Sequence, residues 1–298
     1  MPIWIILATF GLLLAHSPCA FAQGTSGPIV TDSKVGYIDS AIPADLFRLR
    51  YDSSYNNRRP TRAEFLYAQG APGGPGWPLP ETSVDYQELF ACAELVILPR
   101  FSAFLEVPAR FLNPDINANT AGLGDMNTGF KYAFLESDSG VLSFQFRAYI
   151  PTGDADRGLG VRHVSLEPAL LFYQALTDRA GVEGELRYWI PVGGTDFAGQ
   201  IIRYGLGVHY DVVNTCHWRL GPVVEFVGWT VLSGRESFVQ PSGLVEVRDA
   251  AGQTIVNAKL GVRLGIGERA DFYAGWGRPL TGDRWYENVF RLEMRLLF

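Results

Sequence analysis

His163 and Ser165 stand two residues apart in an alternating segment, so their side chains share one face of a strand. A hydroxyl beside an imidazole is the minimum for acyl transfer, with Ser165 as nucleophile and His163 as base. Glu167 falls on the same face, and ordinary polar residues lining an interior account for the trio more simply. Asp154-x-Asp156-x-Gly158 opens with the spacing of a calcium loop, but no third acidic ligand or closing Glu follows at the required distance. A solvated polar loop is the better reading. Gly122-Leu123-Gly124 and Gly205-Leu206-Gly207 are isolated glycine pairs, not phosphate loops. The chain has no Walker A loop, no His-Glu-x-x-His, no Cys-x-x-Cys and no Gly-x-Ser-x-Gly elbow. An enzyme is not expected, and neither a cofactor nor a metal.

The larger constellation is one of charges at every second position. Arg147, Glu167, Glu183, Glu185, Arg187, Arg203, Arg219, Glu225, Lys259, Arg263, Arg291, Glu293 and Arg295 all lie on the polar parity of alternating runs. Apolar residues hold the other parity: Leu142, Phe144 and Phe146 against Arg147; Ala258, Leu260 and Val262 against Lys259 and Arg263. A period of two with charge on one face is a strand signal. The runs are about ten residues long, the length a tilted strand needs to cross a bilayer. In a soluble sandwich the apolar face would point to a core; in a membrane barrel it points to lipid and the charges face the lumen.

Three features choose the barrel. The first 22 residues carry an apolar run, Ile3 to Ala15, too short for a membrane helix, then Ala20-Phe21-Ala22. This reads as a secretory signal peptide cleaved near Ala22, although no Lys or Arg precedes the run. The chain ends on Phe290, Leu292, Met294, Leu296 and Phe298, alternating with Arg291, Glu293 and Arg295, which resembles the terminal signal read by the barrel-assembly machinery. The links alternate in length: short at 98–100, 136–139, 176–180, 212–216 and 267–270, long at 112–125, 151–162, 192–199, 232–253 and 278–287. Short periplasmic turns and longer external loops are the barrel pattern.

The expected architecture is therefore all-β, an antiparallel transmembrane β-barrel of about twelve strands in meander order. Eleven strands follow Val84; the twelfth is 45–55, with 61–68 as the alternative. Residues 23–44 are expected to form a periplasmic extension and 45–298 the barrel, in the outer membrane. Its lipid is one expected partner. Leu260 should face lipid, and lumenal Gly261 should accept Ser if there is room. Net charge is −6 without a basic run, which excludes nucleic-acid binding by phosphate neutralisation. Export would permit a disulfide, but Cys92 and Cys216 read as two unlinked residues, in a strand and a turn.

Gly122, Gly124 and Asp125, followed by Gly129, Lys131 and Tyr132, and then Pro151, Gly153 and Asp154, form a Gly-x-Gly-Asp…Gly-x-Lys-Tyr…Pro-x-Gly-Asp pattern. It resembles the exported outer-membrane family assigned to the meta-pathway of phenol degradation, over roughly 113–298. The resemblance implies a barrel that passes small, hydrophobic or aromatic solutes, and it carries no catalytic residues. The His163/Ser165 spacing is similar to the catalytic pair of outer-membrane phospholipase A, but the Asn-Gly expected next is Leu166-Glu167, and the pair lies on the lumenal parity. Two further readings stay open beside the channel: a structural or surface barrel with an occluded lumen, and an outer-membrane hydrolase.

Overall fold

The computed structural model describes residues 33–58, 77–79, 81–240, 242–282 and 284–298. The expected signal peptide, the alternative strand 61–68 and residues 23–32 lie outside them. Twelve strands form the barrel. They are β1 (Leu46–Asn57), β2 (Val84–Leu98), β3 (Phe101–Pro114), β4 (Met126–Glu136), β5 (Gly140–Ile150) and β6 (Val164–Ala175). The ring continues with β7 (Ala180–Val192), β8 (Ile201–Tyr210), β9 (Trp218–Val231), β10 (Thr254–Ile266), β11 (Ala270–Pro279) and β12 (Asn288–Leu297). Each pairs antiparallel with its chain neighbour, and β12 closes on β1 with Leu46 opposite Leu297 and Tyr55 opposite Asn288. Closure leaves no open sheet edge, which is what permits a sheet to sit in lipid.

The polarity is that of a membrane protein. Phe47, Leu105, Leu186, Leu206, Phe226, Leu260 and Leu292 are exposed on the outer face, while the charged parity is buried inside. A soluble sandwich would show the reverse. Tyr132, Tyr210 and Trp218 are exposed at the short-turn end, where a barrel places interfacial aromatics. Both Asp45 and Phe298 lie at that end, joined by the Phe298 N–H donating to the Asp45 carbonyl (3.2 Å).

Two irregularities shape the opposite end. The inner half of β3 pairs with β4, but Ala109–Leu112 pair instead with a short strand, Thr120–Leu123. The long link after β9 folds into a hairpin, Arg235–Val239 with Val245–Asp249. Cys92 is buried on β2 and Cys216 exposed in a turn, both free.

Two expectations are corrected. Residues 33–44 do not extend into the periplasm; they turn back into the barrel from the short-turn end. Val35, Tyr37, Ile38 and Ala41 are buried there. The turning point, around Tyr37–Asp39, reaches mid-strand residues such as Arg147, Glu225 and Arg291, and Ser33 returns to Arg295 near the end of β12. The second correction concerns Gly261. A Cβ there would sit 2.3 Å from the Tyr273 hydroxyl, so the lumen has no room for serine.

Candidate functional site

The lumen holds a continuous set of ion pairs. Each strand contributes alternate side chains, so neighbouring strands in register set charge beside charge: Arg147 opposite Glu167, Glu225 opposite Lys259, Asp271 opposite Arg295. Arg187 bonds Glu185 (2.7 Å) and Glu167 (2.6 Å). Arg203 meets Glu185 (2.8 Å), and Arg291 holds Asp52 through two nitrogens, each at 2.7 Å. Arg263 pairs with Asp271 and Glu293, Arg295 with Asp271, Lys131 with Glu94, and Arg110 with Glu88. Arg219 lies at the short-turn mouth over Gly265. Burying this many ions is tolerable only because each is paired and hydrogen-bonded.

The wall charges have a second task. Residues 33–44 have no strand ladder, so their backbone groups need other partners inside the barrel. The wall carboxylates take the N–H groups. Glu183 accepts from Lys34 (2.7 Å) and Val35 (3.3 Å). Glu225 accepts from Gly36 (3.0 Å), Tyr37 (2.8 Å) and Ile38 (3.1 Å). The wall cations take the carbonyls. Arg295 donates to Ser33, Arg263 to Lys34 and Val35, Arg291 to Gly36 and Arg203 to Tyr37, each at 2.6 Å. The mixed charge of the lumen thus matches a peptide backbone, which offers one donor and one acceptor per residue.

Glycines make the space. A Cβ on Gly207 would lie 2.7 Å from Val35, and one on Gly205 would lie 3.0 Å from Ile38. The Tyr273 ring fills a slot between Gly36, Gly261 and Gly275, and its hydroxyl donates to Glu225 (3.2 Å). Lumenal glycines on adjacent strands were the available signal for this close approach of a second backbone. One void between plug and wall, lined by residues including Val35, Ile38, Arg48 and Lys131, is about 20 Å³. That is room for about one water molecule.

Asp39 is the one acidic side chain of the plug. Its Oδ2 accepts from Arg147 (2.6 Å) and Gln145 (3.2 Å) and forms an ion pair with Arg187 (2.7 Å), and Oδ1 lies 3.7 Å from Arg48. Burial opposes its ionisation, but Arg187, Arg147, Arg48 and Arg203 outweigh that and hold the carboxyl well below the usual carboxylate range.

Towards the long-loop end the lining turns aromatic. Trp229 and Trp285 pack at 5.4 Å between centroids, Trp189 meets Tyr149 edge-on at 6.1 Å, and the Arg203 guanidinium lies 5.5 Å from the Trp229 ring. The indole N–H groups of Trp189, Trp229 and Trp285 have no acceptor among the described residues. Lys259 sits over the Tyr37 ring (3.8 Å) and donates to the Tyr286 hydroxyl (2.9 Å). The plug and this aromatic lining were not legible as site residues in the sequence.

The remaining candidates are structural. Asp125 accepts from Gly153 (3.0 Å) and Val161 (2.9 Å), and Thr152 donates to the Gly124 carbonyl (2.9 Å), so the two glycine-rich stretches are tied into one loop cluster. Gly129 lies against the Phe146 carbonyl and Lys131 donates to Ile42 of the plug (3.2 Å). Pro151 follows the end of β5. Asp154 caps a short turn whose Gly158 has φ 74°, and Asp156 pairs with Arg162. Among the described residues no group of His, Cys, Asp or Glu is arranged to hold a metal ion. His163 Nδ1 contacts the Val161 carbonyl (2.9 Å), and the fully buried Ser165 hydroxyl has no partner among the described residues.

The family model described as "Putative MetA-pathway of phenol degradation" matches residues 82–292. The chain belongs to this family. The match takes in the glycine-rich loop cluster, the aromatic lining, the ten barrel strands β2 to β11 and the first half of β12. No curated relative matches the chain. Among solved structures, an outer membrane channel from Pseudomonas putida F1 is similar at TM-score 0.56 and 13% identity, over 90% of this chain and 100% of that one. The NanC porin is similar at TM-score 0.49 and 8% identity, over 85% and 100%. The KdgM porin follows at 0.43 and 9%, over 85% and 99%. The fold shared with the Pseudomonas putida protein is an outer-membrane β-barrel.

Proposed function

We propose that the protein is an outer-membrane channel for small solutes, closed at rest by its own residues 33–44 and acting without catalysis or cofactor. The observation that carries this reading is how the plug is held. It shares no strand ladder with the barrel and rests on side-chain contacts, so it can leave without unzipping a strand. The family and the fold shared with a channel support the same reading. The aromatic lining of Trp189, Trp229 and Trp285 above the plug suits hydrophobic or aromatic solutes. The assembly machinery that reads the terminal strand is the second proposed partner, beside outer-membrane lipid.

The occluded-barrel reading draws on the small void beside the plug. Planar-bilayer recording separates the two. The full chain is expected to open rarely, and a chain lacking residues 33–44 to conduct steadily. Silence of a correctly folded deletion variant would favour the structural barrel. For the hydrolase, Ser165 is sealed in the lumen away from lipid, and lipid hydrolysis that disappears with Ser165→Ala would be needed to revive it.

A further inference from the structure

Four arginines, Arg48, Arg147, Arg187 and Arg203, surround the Asp39 carboxylate in the middle of the lumen. Three wall carboxylates touch them: Glu106, Glu167 and Glu185. Arg50 also lies 3.7 Å from Glu106, so cations outnumber carboxylates among these wall contacts, and the plug supplies a further anion. Guanidinium groups are built for planar, two-oxygen acceptors, and two of them converge on the same Asp39 oxygen, Arg147 donating to it and Arg187 paired with it as an ion. When the plug withdraws, a buried positive charge is left without its partner, a costly state in a low-dielectric interior. Something anionic must take its place.

We propose that this arginine cluster is a binding site for a solute carboxylate, and that Asp39 occupies it in the closed channel as an internal mimic of that solute. The proposal rests on the channel reading above and adds the chemical class of the cargo. A solute that presents a carboxylate to Arg147 and Arg187 competes with Asp39 and favours the plug-out state. Its ring or chain then lies towards the aromatic lining formed by Trp189 and Trp229. Lumenal access and plug release become one event, because the closed state is closed by the same contact the solute needs. The linkage is that of any ligand which binds one of two states: it shifts the equilibrium by its differential affinity.

The test uses the full chain in detergent, titrated calorimetrically with sodium benzoate and, as the neutral control of similar shape, benzamide. Wild type is expected to bind benzoate weakly, since Asp39 competes. Asp39→Asn, and separately the chain lacking residues 33–44, should bind benzoate at least tenfold more tightly than wild type and at least tenfold more tightly than benzamide. Adding Arg147→Gln to Asp39→Asn should remove that preference. Heat-modifiable mobility in gels verifies that each variant is folded. The proposal fails if both folded variants bind benzoate no better than wild type, or no better than benzamide. It also fails if chloride displaces benzoate at equal concentration, because the site would then hold any small anion. Conductance is a separate reading: a variant that binds benzoate but never conducts would sink the channel and leave the site standing.

Discussion

Asp39→Asn removes the plug's one negative charge while keeping its shape and its backbone contacts. In the docked state the carboxylate accepts from Arg147 and Gln145, pairs with Arg187 and lies near Arg48. Removing one partner of a buried pair destabilises by roughly 3–5 kcal/mol, mostly through the charge left behind. The Asp39 side chain keeps 17% of its surface exposed, so the lower end, about 3 kcal/mol, applies here. At 1.4 kcal/mol per tenfold, the undocked fraction should rise by about a hundredfold. Two measurements read that fraction. One is the open-time fraction in bilayer recordings. The other is the labelling rate of Ala41→Cys by an impermeant maleimide, in a chain with Cys92 and Cys216 replaced; Ala41 is buried beneath the plug's contacts. The sign of the pH effect follows from the depressed pKa. Docking gains from ionised Asp39 at every pH above the ordinary aspartate value of 3.8, and loses that gain as pH falls through the lower, docked value. Arg48, Arg147, Arg187, Arg203 and Gln145 face the carboxyl and none of them titrates in this range. The Asp39 contribution to docking should therefore persist from neutral pH down to 3.8, and the Asn variant should lack this acid-sensitive component. Labelling and open time unchanged by Asp39→Asn would refute the argument that the ion cluster holds the plug.

The remaining expectations concern the barrel itself. Leu260 is exposed on the outer face, so Leu260→Arg should destabilise by roughly 2–4 kcal/mol, and a lipid-soluble quencher should quench Trp at 260 more than Trp at 261. Gly261→Ser should also destabilise, because the new Cβ meets Tyr273; a denaturant midpoint equal to wild type would show that the ring moves freely. A tag inserted near Gly243, in the hairpin at the long-loop end, should bind antibody on intact cells, and labelling confined to permeabilised cells would invert the topology. Phe298→Ala should lower the amount of heat-modifiable protein in the outer membrane without lowering export; normal levels would show that the terminal residue is dispensable.

Local patterning was enough to read the strands, and the leader, the terminal strand and the alternating link lengths turned them into a barrel. A strand has a side-chain period of two, so charge on one parity and apolar residues on the other identify both faces from sequence alone, as in β10 from Ala258 to Arg263. The short turns at 98–100 and 267–270 follow from the same local signals, and the choice of 45–55 over 61–68 as the first strand follows from the even strand count of such barrels; the structure has β1 at Leu46–Asn57. The lumenal charges were legible as a set, but their purpose was not. Glu225 and Lys259 read simply as interior residues. Only the folded chain shows that Glu225 receives three backbone N–H groups from residues nearly 190 positions earlier. Residues 33–44 carry no strand period, because a segment held by wall side chains needs no alternation. Gly205 and Gly207 recorded where it lies, yet a glycine states only that space is needed, not what fills it. Periodicity is written along the chain and survives in sequence; the meeting of Asp39 with Arg48, Arg147 and Arg187 exists only once twelve strands have closed around it.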